Sequence, residues 1–186
     1  MMNIREKIKA LFKNIDSIDI HAKDAMGETA LMHACRQNLD ATVELLIKKG
    51  ADVNYYNEKS IGGPTTALMH AAETNALETV KLLIDNNAEI EAHHKVNGMT
   101  ALMFSAKNDS KEAAELLLQS GAKLEAKTFG PIGAGKTALV FAATENHREI
   151  VDLLIQKGAK IKPLRAIDRK KIPVAMVKWL KMKGVL

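Results

Sequence analysis

The chain has 186 residues, 47% of them apolar but only 4% aromatic, and a formal net charge of +5. That length suits one domain with an aliphatic core. A single cysteine, Cys35, excludes a disulfide framework and fits a reducing compartment. No run is apolar enough to be read as a signal peptide or a bilayer span. Charge is unevenly placed: residues 162–186 hold eight Lys or Arg against Asp168 alone, while the other 161 residues carry 19 basic and 21 acidic side chains. The pI near 9.2 therefore describes a tail and does not by itself argue for nucleic-acid binding.

In chain order, Ile4, Ile8, Leu11 and Ile15 form an apolar stripe at helical spacing, which predicts a short amino-terminal helix. Asp24-Ala-Met-Gly27 reads as a turn whose glycine accepts a positive φ. Thr29 follows as an N-cap, ahead of a helix over roughly Ala30–Gln37 that buries Leu31, Ala34 and Cys35. Asn38-Leu39-Asp40 makes a short link. A second helix over roughly Ala41–Lys49 buries Val43, Leu46 and Ile47 and ends at Gly50 as a C′ glycine. Ala51–Asn54 is expected to lead out in extended form.

This unit recurs. Thr29, Thr66, Thr100 and Thr137 each open a Thr-Ala-Leu tetrad, and Val43, Val80, Ala114 and Val151 start a Leu-rich segment fourteen residues after their threonine. Seven residues further come Gly50, Asn87, Gly121 and Gly158, each followed by alanine. A period of 34 to 37 residues marks a repeat array, in which each helix pair buries its apolar face only against its neighbours. Leu116 and Leu153 are expected to be buried in the second helices of their repeats. Cys35 occupies the slot of Ala72, Ala106 and Ala143, so it reads as a small core residue rather than a reactive thiol.

Lengths differ only between the glycine (or Asn87) and the next threonine, at 16, 13 and 16 residues. Residues 55–65 and 127–136 are therefore expected to project as long fingers carrying Tyr55, Tyr56, Phe129 and Ile132. Recognition and loop drift both account for these fingers. At the carboxyl end Pro173–Lys183 is an amphipathic helix candidate with Pro173 at N1. Its expected use is to close the stack; docking of its lysines and Trp179 on an anionic surface is the second use.

On these residues the chain resembles the ankyrin repeat proteins. Their pattern, D-x-x-G-x-T-P-L-H-x-A-A followed by I-V-x-L-L-L-x-x-G-A-D-V-N, is matched by Asp24, Gly27, Thr29, Leu31, Ala34, Val43, Leu45, Leu46, Gly50, Ala51, Asp52, Val53 and Asn54. Two features depart from it. Alanine replaces proline at Ala30, Ala67, Ala101 and Ala138, and the histidine moves by one position, to His33 and His70. The resemblance implies an all-α ankyrin-repeat solenoid of stacked helix-turn-helix units joined by hairpin-like finger loops. One domain would span 1–186: an amino-terminal cap half-repeat (1–23), full repeats at 24–54, 55–91, 92–125 and 126–161, and a degenerate cap repeat at 162–186. Ser17–Lys23 resembles an exit strand, Pro163-Leu164 echoes T-P-L, and Val177–Gly184 echoes a second helix.

Gly130-Pro-Ile-Gly-Ala-Gly-Lys-Thr137 fits the P-loop expression G-x-x-x-x-G-K-[ST]. Its context is wrong for one: Glu125–Phe129 is no buried strand, no acidic strand end is at hand for magnesium, and Thr137 is already the threonine of its repeat. His93-His94, with His70, offers no metal-ligand spacing. No catalytic arrangement stands apart from the repeat register.

The resemblance implies a non-enzymatic protein–protein interaction module with no catalytic residue, cofactor or metal, bound by an unidentified protein across its fingers and first-helix surface. Carried over by register, the partner-binding residues are Glu28, Arg36 and Gln37, then Tyr56, Lys59, Thr65, Glu73 and Thr74. His94, Met99, Lys107 and Asn108 follow from the third repeat, and Phe129, Lys136, Thr144 and Glu145 from the fourth. A cytoplasmic monomer is expected; in a bacterium the resemblance would also admit a secreted, host-directed effector. Nucleic acid and membranes are not the expected partners. The alternatives are an adaptor to an anionic membrane or nucleic acid through the basic carboxyl-terminal cap and, below that, nucleotide binding at Gly130–Thr137.

Overall fold

The computed structural model describes residues 19–57, 65–129, 135–161 and 171–186. The amino-terminal helix, Lys59, Ile132 and Pro163-Leu164 lie outside them. Among the described residues the elements are α1 (Ala30–Arg36), α2 (Asp40–Lys48), α3 (Ala67–Glu73), α4 (Leu77–Asp85), α5 (Ala101–Lys107), α6 (Lys111–Gln119), α7 (Ala138–Thr144), α8 (Arg148–Gln156) and α9 (Val174–Met182). The first eight form four helix pairs. α9 matches the second helices in length and in its closing glycine, Gly184.

Both helices of every unit are stopped by a left-handed residue. First helices end at Asn38, Asn75, Asp109 and Asn146, with φ between 53° and 67°; short polar side chains tolerate this region best after glycine. The following N–H reaches back to Ala34, Ala71, Ser105 or Ala142 at 2.9–3.0 Å. Second helices end at Gly50, Asn87, Gly121, Gly158 and Gly184, all at positive φ. The N–H groups of Ala51, Ala88, Ala122, Ala159 and Val185 then bond the carbonyls of Leu46, Leu83, Leu117, Leu154 and Leu180, each at 2.9 Å. These bonds satisfy helix-end carbonyls and turn the chain sharply.

Several local expectations are corrected. Asp40 opens α2 rather than belonging to the link. Residues 52–55 form a turn instead of an extended exit, with the Asn54 N–H on Asp52 Oδ1 at 2.9 Å and the Tyr55 N–H directed to the Asp52 carbonyl. Thr29 and Thr66 cap through their hydroxyls, which accept from the N–H groups of Met32 and Met69. Thr100 and Thr137 do not: there the N–H groups of Met103 and Val140 turn to the threonine carbonyls, each at 3.0 Å. Pro173 sits at the N-cap of α9, one residue before N1.

First helices stack on first helices and second on second. The first-helix seam is made of small residues: Ala34, Ala71, Ser105 and Ala142, and beside them Cys35, Ala72, Ala106 and Ala143, all without exposed surface. Cys35 is thus a core residue, and burial pushes its thiol pKa well up. Leu31, Leu68, Leu102 and Leu139 fill the space alongside. In the second helices Val43, Val80, Ala114 and Val151 pair with Leu46, Leu83, Leu117 and Leu154, and α9 adds Met176 and Leu180. Leu153 is buried as expected but Leu116 is not. Ala113, Ala114 and Leu117 share the inward face of α6, and helical geometry leaves Leu116 at its edge.

Polar clips hold the repeats in register along the turns that leave the second helices. Asn54 Oδ1, Glu91 Oε1 and Glu125 Oε1 accept the N–H groups of Glu89, Lys123 and Lys160 in the next repeat, each at 2.8 Å. Deeper in the stack, Ser110 Oγ donates to the Glu73 carbonyl at 3.0 Å and His147 Nδ1 lies 3.1 Å from the Ala106 carbonyl.

Truncating Leu117 or Leu154 to alanine should cost about 2–5 kcal/mol in urea unfolding, the range for a buried leucine that leaves a cavity. Leu116→Ala should cost clearly less than Leu117→Ala, and equal losses would mean that the inward face of α6 is misassigned.

Candidate partner-binding surface

Each finger closes as a hairpin whose base pairs two residues of fixed register. The N–H groups of Asp24, Asn57, His94 and Thr128 donate to the carbonyls of Glu28, Thr65, Met99 and Lys136 at 2.8–3.0 Å. This pairing decides which of the expected contact residues face outward. Arg36, Thr74, Lys107, Asn108, Phe129 and Glu145 are exposed, and Gln37, Tyr56, Glu73, Lys136 and Thr144 are half-buried. Glu28, Thr65, His94 and Met99 are buried and are not available surface. They form the hairpin bases, whose side chains turn into the stack. His93 and His94 do point opposite ways, His93 outward and His94 inward.

One first-helix position, at residues 33, 70, 104 and 141, governs what lies beneath each finger. His33 Nε2 is 2.8 Å from Asp24 Oδ2, and His70 Nε2 is 3.1 Å from Thr65 Oγ1. The displaced histidines therefore tie helix to finger in the first two repeats. In the third and fourth the position holds Phe104 and Phe141, and Lys136 Nζ lies 5.4 Å from the Phe141 ring centre.

The first two repeats meet through a buried carboxylate. Glu28, only 3% exposed, is gripped by Arg36 through both oxygens, one of them at 2.8 Å from Nη1. His33 Nε2 lies 3.5 Å and His70 Nε2 3.8 Å from the same carboxylate. Arg36 Nη2 also reaches His70 Nε2 of the next repeat at 3.2 Å. His70 holds the Glu73 carboxyl below its ordinary pKa, with Arg36 and Lys107 adding to the effect. Burial alone would raise the Asp24 pKa, but the N–H groups of Glu28 and Met26 together with His33 outweigh it and hold the carboxyl low. Ligand atoms of Asp24, Glu28 and His33 lie within 4.8 Å of one another, yet a cation there would have to displace the Arg36 guanidinium.

The P-loop-like stretch is described only from Gly135 to Thr137. Lys136 Nζ sits over Phe141, its N–H donates to Thr128 Oγ1 at 2.9 Å, and the Thr137 hydroxyl is buried. These groups serve the finger and the helix start. An open groove of about 590 Å³ runs between Tyr56, the 88–92 turn, His93 and Lys95. Lys95 Nζ lies 4.9 Å from the Tyr56 ring centre.

The family pattern described as Ankyrin repeats (3 copies) matches residues 2–57 and 68–164. The chain belongs to the ankyrin repeat family. Ankyrin repeats are general protein–protein interaction modules and are typically not enzymes. A comparison with curated proteins gives no match. Among the described residues no helix is long and apolar enough to cross a membrane.

Sequence reasoning missed that Glu28, Arg36 and His70 form one network across the ankyrin repeat boundary. The available signal was the change from His33 and His70 to Phe104 and Phe141 at one register position. Removing Arg36 should leave the buried Glu28 carboxylate short of a partner, so Arg36→Ala should cost about 1–3 kcal/mol. The double variant Glu28→Ala/Arg36→Ala should cost less than that single one in urea unfolding, because it leaves no unpaired charge. Additive losses would mean that the pair is not coupled.

Proposed function

We propose that this ankyrin stack is a non-catalytic scaffold that binds a protein partner along its fingers and first helices. The supporting observation is the placement of Thr74, Lys107, Asn108 and Glu145. All are exposed, and all lie at the ends of first helices, where the packing faces leave them. Six units would build it: a 1–23 half-repeat, the four full repeats at 24–54, 55–91, 92–125 and 126–161, and the 162–186 cap. The reading takes the chain as a monomer acting inside a cell. Site-specific photo-crosslinking tests it. A benzophenone amino acid at Thr74 or Asn108 should yield partner adducts in the native cell, and one at Glu44 or Glu115 on the second helices should not. Adducts from the second-helix positions alone would refute the reading.

A second reading concerns α9. Met176 and Leu180 anchor it in the core, but Val174 and Met182 are its outward apolar side chains, and residues 171–186 hold four lysines and no acid. This composition supports an added contact with an anionic membrane. Co-sedimentation with vesicles containing phosphatidylserine, lost in Lys178→Glu/Lys181→Glu, is the expected result. Equal recovery with phosphatidylcholine vesicles alone would remove it.

A further inference from the structure

Asn97-Gly98 is the one Asn-Gly pair of the chain. Glycine puts no side chain in the way when its own nitrogen attacks the carboxamide of the preceding asparagine. The fold decides which asparagines are open to that reaction. Asn54 and Asn75 are bound to the next repeat through both ends of the carboxamide. Asn54 Oδ1 accepts the Glu89 N–H and its Nδ2 donates to the Asn87 carbonyl; Asn75 makes the same pair of bonds with the Ala113 N–H and Glu112 Oε2. Asn86 and Asn108 donate to the helix carbonyls of Leu82 and Phe104. After Asn38, Asn87 and Asn146 the attacking nitrogen would be that of Leu39, Ala88 or His147, and each is held by a helix carbonyl at 2.9–3.0 Å. Asn57 is fully buried.

Asn97 is held by its own finger tip. It is half-buried, and its Oδ1 accepts the Met99 N–H at 3.0 Å. That bond folds the carboxamide back over the Gly98 peptide and draws electron density from Cγ, the atom to be attacked. Gly98, at φ +73°, donates its N–H to the His94 carbonyl at 2.6 Å. This bond has to open before the nitrogen reacts, and a loop bond of this kind opens without unfolding the helices beneath it. Phe129 restrains the tip further. Its N–H donates to the Asn97 carbonyl at 3.0 Å, and its ring lies edge-on to His93 with centres 5.5 Å apart. The ring also covers Gly98 so closely that a Cβ there would lie 2.4 Å from a ring carbon.

We propose that Asn97-Gly98 is a site of spontaneous modification, at which the Asn97 carboxamide becomes a carboxylate and the third finger is released from Phe129. The Gly98 nitrogen gives its proton to a solvent base and bonds to Asn97 Cγ. The Cγ–Nδ2 bond breaks, and Nδ2 leaves as ammonia with a proton taken from water. Water then opens the five-membered imide. Cleavage of the new bond at Cγ gives aspartate; cleavage of the original peptide bond gives isoaspartate, whose main chain runs through the side-chain carbons. Isoaspartate lengthens the tip by one methylene group and carries the carbonyl away from the Phe129 N–H. Either product places a new negative charge on the finger edge.

The test is peptide mapping by mass spectrometry of the full chain after storage in warm, mildly alkaline buffer, against a sample kept cold. The peptide containing Asn97 should be the first to gain the mass of an amide-to-acid change, and an isoaspartyl methyltransferase should label it. Conversion should speed up with rising pH, because the attacking nitrogen must lose its proton. Asn97→Gln, which would have to close a larger ring, should abolish it. Phe129→Ala, which frees the tip, should convert several-fold faster than the parent chain. Circular dichroism melting checks that both variants are folded. In the converted protein the Phe129 amide should exchange its hydrogen faster than before. Conversion that begins at another asparagine would overturn the proposal. So would an unchanged Asn97 in the folded chain when a urea-unfolded sample converts there, since the Gly98–His94 bond would then lock the tip. Unaltered exchange at Phe129 after conversion would overturn the release of the finger.

Discussion

The close approach of consecutive first helices is the constraint from which the remaining structure follows. It requires two adjacent small residues in each helix, supplied by Ala34 and Cys35, Ala71 and Ala72, Ser105 and Ala106, and Ala142 and Ala143, all fully buried. A larger side chain at any of them would push neighbouring repeats apart and open the leucine layer behind. Because first helices approach through small residues while second helices pack through valine and leucine, each unit is seated the same way on the last. The fingers, attached directly before the first helices, are thereby set side by side along one edge.

That edge is built from backbone geometry before any side chain specialises it. Left-handed residues end each helix, hairpin bonds close each finger, and clips from Asn54, Glu91 and Glu125 fix the turn of the next repeat. Once these bonds are made, one side chain per repeat, at residues 33, 70, 104 and 141, faces the finger base. Histidine there makes a polar junction and phenylalanine an apolar one. The change from one to the other between the second and third repeats divides a repetitive scaffold into two chemically distinct halves. Repeat proteins acquire specificity in this way, by varying a few positions on a shared framework of stacked units.

The Glu28 carboxylate shows the cost of building such a surface. A buried charge needs full compensation, and Arg36, His33 and His70 surround it from two repeats. Residues that a register argument would give to a partner are thus spent on the interface between repeats. A pairing of this kind adds to the orientation of one unit on the next more than to net stability, because desolvation offsets much of the attraction.

The sequence by itself determined the repeat, its period, the helix positions and the glycine stops. These depend on local signals, namely apolar spacing, αL-tolerant residues and the alanine pairs, and they recur four times in register. It also marked Cys35 as a core residue, from the alanines in its slot. Tertiary structure alone decided which face each finger residue shows. Glu28 and Met99 read as contact residues by position and are buried because hairpin closure turns them inward. Leu117 stands in the register of Leu46 and Leu116 in that of Leu45, and a helical step of 100° separates the core residue from the edge one. The joining of Phe129 to Gly98 and Asn97 depends on two fingers about thirty residues apart being laid side by side, an arrangement that only the stacked helices beneath them impose.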